Sequence, residues 1–361
     1  MAYINGIGVI SPQKTTEPGS FLPEVMEYTA DFLRCIDPNY RNFIDPILGR
    51  RMSRLIKMGI TSAKICVADA GDPMPDAIIT GTGLGSVEDT EKILGELIKE
   101  EKFLNPTPFI QSTYNTISSQ IAINLKCHNY NATYVHRTFS FESGLLDAMM
   151  QLEEKMGNNM LVGGIDEMTL NHLEITRRTG MWKREPVNNL GLLQGSTPGA
   201  LAGEGAAFFM LGDQPGPNTY GILQDISIQF SPGNSYHPGD SVKDFLKKNG
   251  LALSDIDLLL LGLNGDPAHD LIDNRFAGIL PHQTATAWYK HLCGEFNTAT
   301  GFALYLASNI LKHQYLPEIL RLNNHLPGEF NSILIYNQFR NTNHSLILVK
   351  RNSEACLPVG R

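Results

Sequence analysis

The chain has 361 residues, 42% of them hydrophobic, and a formal net charge of -8. That content supports a sizeable core, as one large α/β unit or as two ordinary domains. The acidic balance, with no basic cluster interleaved with aromatics, excludes an electrostatic footprint for nucleic acid or an anionic membrane, and it makes an acidic carrier protein a poor tight partner for this surface alone. No apolar run of about 18 residues is present to span a bilayer. The start, Met1 to Gly6, lacks the basic and apolar stretches of a signal peptide, so a cytoplasmic location is expected. Cys35, Cys66, Cys127, Cys293 and Cys356 show no Cys-x-x-Cys spacing. They read as small buried apolar side chains, with neither disulfide framework, metal site nor cofactor expected.

Strands and helices alternate along the first half. A strand is expected over 2–10, then a helix near 51–70 with apolar Met52, Leu55, Ile56, Met58 and Ile60, stopped by Ala70-Gly71 and Pro73. A strand at 77–80 runs into Gly81-Thr82-Gly83-Leu84-Gly85. Ser86 and Asp89 then have capping-box spacing at the head of a helix reaching about 101. A helix at 113–125, a strand at 131–137, a helix at 141–156 and strands at 159–163 and 204–212 complete this half. The second half repeats the order: strand 220–230, helix 240–249, strand 257–263, helix 297–312, and strands 331–336 and 344–350. Runs such as Leu258 to Leu261 and Ile333-Leu334-Ile335 suit strands covered on both faces. The irregular stretch 181–203 is expected to lie over the cleft.

The glycine run at 81–85 lacks the third glycine of Gly-x-Gly-x-x-Gly, and no acidic residue follows on a second strand. Close backbone packing at a tight turn is therefore the better reading. The run Ser140-Phe141-Glu142-Ser143-Gly144 opens a helix after an apolar strand, where helix N–H groups and the macrodipole favour an anionic nucleophile. Phe141 supplies none.

Several stretches in order resemble the β-ketoacyl synthase family of condensing enzymes. They are Ile4 to Pro12, Ala68 to Gly71, the Gly81 turn, Ser143-Gly144, Leu161 to Glu167, Gly203 to Ala206, Lys290 with Gly294 and Gly301, and Thr342-Asn343. The resemblance implies a thiolase-like layered αβαβα fold with two pseudo-duplicated halves, 1–215 and 216–361, in one integrated unit. It also places the family's cysteine nucleophile at Phe141 and its two histidines at Asn264 and Glu295. Phenylalanine has no nucleophile, asparagine cannot exchange a proton, and glutamate is an anion where a donor is needed. Condensation is not expected of this set.

Lys290 remains, with a structural pairing to Glu295 or Glu142 expected. The family's glycine-rich final loop is Phe339-Arg340-Asn341-Thr342-Asn343 here, so the gate should be stiffer. Phe141, Glu142, Lys290, Phe339 and Arg340 are the candidate substrate-binding or gate residues. Ser140 and Ser143 flank the elbow, but the motif places no histidine to activate either. His291 and His136 read as packing or surface residues.

The family resemblance points to a chain-length-factor-like partner of a cysteine-bearing ketosynthase in polyketide, polyene or fatty-acid-type biosynthesis. The pairing segment would be Ala132 to Arg137, with acyl carrier protein reached through the partner. Two alternatives stand beside it. One is a divergent acyl-thioester transferase or hydrolase using Cys293 or a Glu142/Glu295 pair, and the other is a homodimeric acyl-chain binding protein.

Overall fold

A computed structural model describes residues 1–17, 21–100, 105–231, 237–271, 279, 281 and 283–352. In the first half, β1 (Ala2–Ile10), β2 (Ala77–Gly81), β3 (Tyr130–Tyr134), β4 (Asn159–Asp166) and β5 (Gly205–Gly212) lie in the order β3-β2-β4-β5-β1. In the second, β6 (Gly221–Phe230), β7 (Leu258–Leu261), β8 (Ala285–Trp288), β9 (Ser332–Phe339) and β10 (Asn343–Lys350) lie in the order β8-β7-β9-β10-β6. The two orders are the same: third, second, fourth, fifth, first. In each half the first three of these are parallel and the last two antiparallel. The first strands of the halves, β1 and β6, pair antiparallel from Ala2 with Leu223 to Ile4 with Gly221, which makes one ten-stranded sheet.

Alternation along these strands sorts the side chains into three cores. Ile79, Val162 and Phe209 of the first half and Leu260, Ile335 and Ile347 of the second meet in a central core. Two helices fill it, α4 (Ser140–Glu153) and α7 (Thr300–His313). Their neighbours in sequence point the other way. Ile78, Leu161 and Phe208 pack under α1 (Arg54–Asp69) and α3 (Thr116–Leu125), and Leu259, Leu261 and Leu334 pack under α6 (Pro238–Lys248). Helix, sheet, helix, sheet, helix is thus the layering, with α4 and α7 in the middle.

Element ends follow local chemistry. The helix after β2, α2 (Val87–Glu100), begins at Ser86, whose Oγ accepts from the Asp89 N–H at 3.4 Å and donates to the Asp89 carboxylate at 2.7 Å, a side-chain cap in place of the full capping box that the spacing suggests. Gly71, at φ +87, ends α1 as expected. The expected strand 131–137 stops at Tyr134, because Arg137 turns to φ 46 and residues 137–139 form a 3-10 turn. Strand β8 and helix α5 (Leu170–Arg177) were not expected: Ala285-Thr286-Ala287 is small and short, and α5 has little apolar periodicity. Cys35, Cys66, Cys127 and Cys293 are buried thiols, and Cys356 lies outside the described residues. Among the described residues no helix is long and apolar enough to cross a membrane.

Candidate functional site

The elbow is built by close backbone approach. A Cβ on Gly81 would stand 2.5 Å from the Ser140 carbonyl, so only glycine lets β2 end beneath the first turn of α4. Ser140 Oγ accepts from the His136 N–H at 2.8 Å and donates to the Thr82 carbonyl at 2.9 Å, which fixes that turn. The glycine run thus serves close packing. Phe141 follows, fully buried, its ring 5.8 Å from that of Phe209. It lies between Gly164 and Gly301, where Cβ atoms would come within 3.1 and 3.8 Å of it. The phenyl ring occupies the space those glycines leave.

The other two expected positions come together. Asn264 follows β7, and Glu295 follows the short helical turn Lys290–Cys293. Glu295 Oε2 accepts from the Lys290 ammonium at 2.6 Å and from Asn264 Nδ2 at 2.8 Å, with all three side chains buried. The Asn264 side-chain carbonyl accepts from the Asp266 N–H at 3.0 Å. Asp270 accepts the backbone N–H groups of Asn264 and Gly265 at 3.0 and 2.8 Å. Burial pushes the Asp270 carboxyl up to about 6. Lys290 thus opposes the charge of Glu295, and Asn264 bonds on both sides of its amide, so Asn264 and Glu295 turn their polar atoms on protein groups.

The stretch 181–203 covers this cluster, as expected of it. The buried Lys183 ammonium donates to the carbonyls of Gly265, at 2.7 Å, and Thr197. Leu201 and Gly203 exchange backbone hydrogen bonds with Glu295 at 2.8 and 3.0 Å. On the other side, the β9–β10 hairpin turns through Arg340 and Asn341, both left-handed at φ 54 and 55. Asn343 Nδ2 donates to Thr138 Oγ1 at 3.0 Å, tying the hairpin to the elbow. Phe339 lines a cavity of about 140 Å3 with Arg137, Glu167 and Trp182.

Three expectations need correction or refinement. Glu142 and Glu295 are not a carboxylate pair. Lys290 and Asn264 hold Glu295, whereas the first turn of α4 aims Glu142 across the central layer, where Oε1 accepts from Thr300 at 2.8 Å and Ser345 at 3.0 Å. Burial raises the Glu142 carboxyl to about 7. Cys293 is not poised as a nucleophile: the thiol is fully buried, donates to its neighbour's carbonyl at 3.2 Å, and burial lifts it well above its ordinary value. The void beside it measures about 10 Å3, room for one water at most and none for an acyl group. Lys290, finally, chooses Glu295 of its two possible partners.

His291 is a core residue, its ring 3.8 Å from that of Trp288 and its basicity lowered by burial to about 3. His136 is exposed and stacks on Phe139. Thr300, Ser345, Asp270 and Lys183 were not anticipated. Asp270, six residues beyond Asn264, had a local signal; Thr300 and Ser345 had none.

Residues 32–173 match the family model described as Beta-ketoacyl synthase, N-terminal domain. No curated protein matches the chain. Among solved structures, the ishigamide ketosynthase/chain length factor superposes with a TM-score of 0.79 at 16% identity, covering 98% of this chain and 99% of that one. A ketosynthase in complex with its chain length factor from Xenorhabdus doucetiae gives 0.74 at 14% identity, covering 97% and 98%. A type II acyl-carrier protein in complex with its ketosynthase bound to the hexaketide gives 0.70 at 13%, covering 97% and 99%. Residues 32–173 are therefore similar to the N-terminal domain of β-ketoacyl synthases, and the chain has, along nearly its whole length, the thiolase-like fold of these ketosynthase and chain-length-factor structures.

Proposed function

We propose that this chain is a non-condensing subunit, similar to a chain length factor, which pairs with a cysteine-bearing ketosynthase and shapes its acyl tunnel. The observation that carries the reading is Phe141: at the elbow where the family presents its cysteine, a phenyl ring is fully buried in the central core. The closed Lys290–Glu295–Asn264 cluster supports it, since the positions of both family histidines are spent on protein groups.

Pairing is supported by β3. It is the last strand of the sheet and bonds only to β2 among the described strands. An edge of unpaired N–H and C=O groups is a template for another strand. Tyr130, at its start, is 50% exposed, and Val135, the residue after its end, 42%. Two of the solved structures above are named as ketosynthase with chain length factor, and carrier protein would reach the pair through the ketosynthase.

Co-expression with an intact ketosynthase encoded nearby, followed by native mass measurement and product analysis, tests the reading. A one-to-one complex is expected, with products whose length shifts when Phe141 is replaced by a smaller residue. A monomer without effect on the ketosynthase's products overturns it. A homodimer that ignores the ketosynthase would instead favour an acyl-chain binding protein.

A further inference from the structure

We propose that the cavity between α5 and the Phe339 hairpin binds a small organic cation, a primary or quaternary ammonium, with Glu167 as its counter-ion. The cavity, about 140 Å3, has walls that include Met168, Met181, Trp182, Phe296 and Phe339. This is a mostly apolar and aromatic enclosure with one carboxylate in it that is not fully partnered. Glu167 is 5% exposed; Oε1 accepts from the Glu88 N–H at 2.9 Å, and Oε2 accepts from no described residue. Asp166 beside it is spent, since Thr82, Gly83, Leu84 and Thr298 all donate to it.

The carboxylates near Glu167 favour a cation, against one opposing charge in the lining, the exposed Arg137. Burial is the main cause that raises the Glu167 carboxyl to about 7; the Glu88 N–H opposes it, and Glu88, Glu204 and Asp89 add a smaller rise. Burial lowers the basicity of His172, in the wall. Arg137 stands exposed in the lining and makes no ion pair with Glu167. An ammonium would relieve the carboxylate's unfavourable field, and an aromatic face would add a cation–π contact. The indole of Trp182 is already fixed, donating to Thr176 Oγ1 at 2.6 Å. A neutral ligand of the same size gains neither term, and an anionic one gains only the exposed Arg137 while meeting Glu167 as a like charge. The inference uses none of Phe141, Asn264, Lys290 or Glu295, and it stands whether or not the chain pairs with a ketosynthase.

The probe is n-butylammonium chloride, titrated into the full chain near pH 8 and followed by calorimetry and tryptophan emission. Saturable binding is expected, weakened about tenfold or more in Glu167→Gln, which keeps the acceptor for the Glu88 N–H, and weakened likewise at about pH 5.5, where Glu167 is protonated. Butyrate and 1-butanol at the same concentrations should not compete. Because that ligand series runs on the unaltered protein, the test survives a variant that fails to fold. Absence of saturation, equal binding of 1-butanol, or undiminished binding in Glu167→Gln overturns the proposal.

Discussion

Glu295 Oε2 stands 2.6 Å from the Lys290 ammonium, and neither side chain reaches solvent. Taking two such charges out of water costs several kcal/mol each, which mutual attraction offsets only when geometry is good and other polar atoms are satisfied. Asn264 supplies part of that satisfaction, at 2.8 Å. The cluster is therefore conditional: each member is tolerable because the others are present.

Removing one charge should cost far more than removing both. Glu295→Leu removes the ion-pair partner of a buried ammonium and is expected to destabilise the fold by about 3–5 kcal/mol, whereas Lys290→Met with Glu295→Leu recovers most of that. Urea unfolding of the two single variants and the double gives the coupling energy. A cycle that closes additively would mean that the two groups do not depend on each other.

Phe141 sits against Phe209 and two glycines in the central core, so its truncation opens space that the neighbours cannot easily fill. Phe141→Ala should cost about 3–5 kcal/mol. Phe141→Cys supplies a thiol alone; Asn264 Nδ2 and Lys290 both stay bonded to Glu295 Oε2, so neither the amide donor nor the carboxylate is free to assist at a thioester. Carbon dioxide release from a malonyl thioester should stay at background in that variant, and release above it would show that another group assists.

Glu142 makes stability depend on pH in a definite direction. Its carboxyl is raised by burial from 4.5 to about 7, so between those values the folded chain holds a proton that the unfolded chain has lost. The contribution is complete below 4.5 and is lost as pH rises through about 7, a fall of about 3 kcal/mol. Glu142→Gln removes the titration. Stability of wild type minus variant, measured by urea unfolding from pH 5 to 8, should fall with pH; a flat difference would mean that Glu142 titrates normally.

Much of the fold could be read from residue pattern because it is a local property. The apolar runs at Leu258 to Leu261 and Ile333 to Ile335 mark doubly covered strands, and Ser86 with Asp89 marks a helix start. The repeated order of elements also pointed to two similar halves. Pairing across the chain could not be read. Glu142 meets Thr300 and Ser345, 158 and 203 residues away, and whether Lys290 turns to Glu142 or Glu295 depends on where α4 crosses the central layer. Polar partners carry no periodicity, so sequence names the candidates and geometry chooses among them.

If β3 pairs with a ketosynthase, an anion on its exposed end should oppose the contact without touching the core. Val135 is 42% exposed and outside the three cores. Val135→Asp is expected to change the chain's own stability by no more than about 0.5 kcal/mol, while weakening association at least tenfold. Sedimentation of the purified pair measures the second quantity and urea unfolding the first. Unchanged association would move the interface away from β3.

The final hairpin offers a test of the gate. Arg340 is held at φ 54, a region that costs an ordinary residue about 1–2 kcal/mol. Arg340→Gly removes that cost but returns backbone freedom to the unfolded chain, worth about 0.5–1 kcal/mol, so the net gain should be under about 1 kcal/mol. Arg340→Val runs the other way, since a β-branched residue is an outlier in this conformation, and a loss of about 1–2 kcal/mol is expected. Asn341, at φ 55, tolerates the region better and is braced by its N–H donating to Gln338 at 3.0 Å. Replacing it with glycine should therefore gain less than at Arg340. Hydrogen exchange at the Thr342 amide, which donates to the Phe339 carbonyl at 3.1 Å, reports the hairpin directly. It should quicken in Arg340→Val relative to Arg340→Gly; equal protection in both would show that the left-handed turn is not what holds the hairpin.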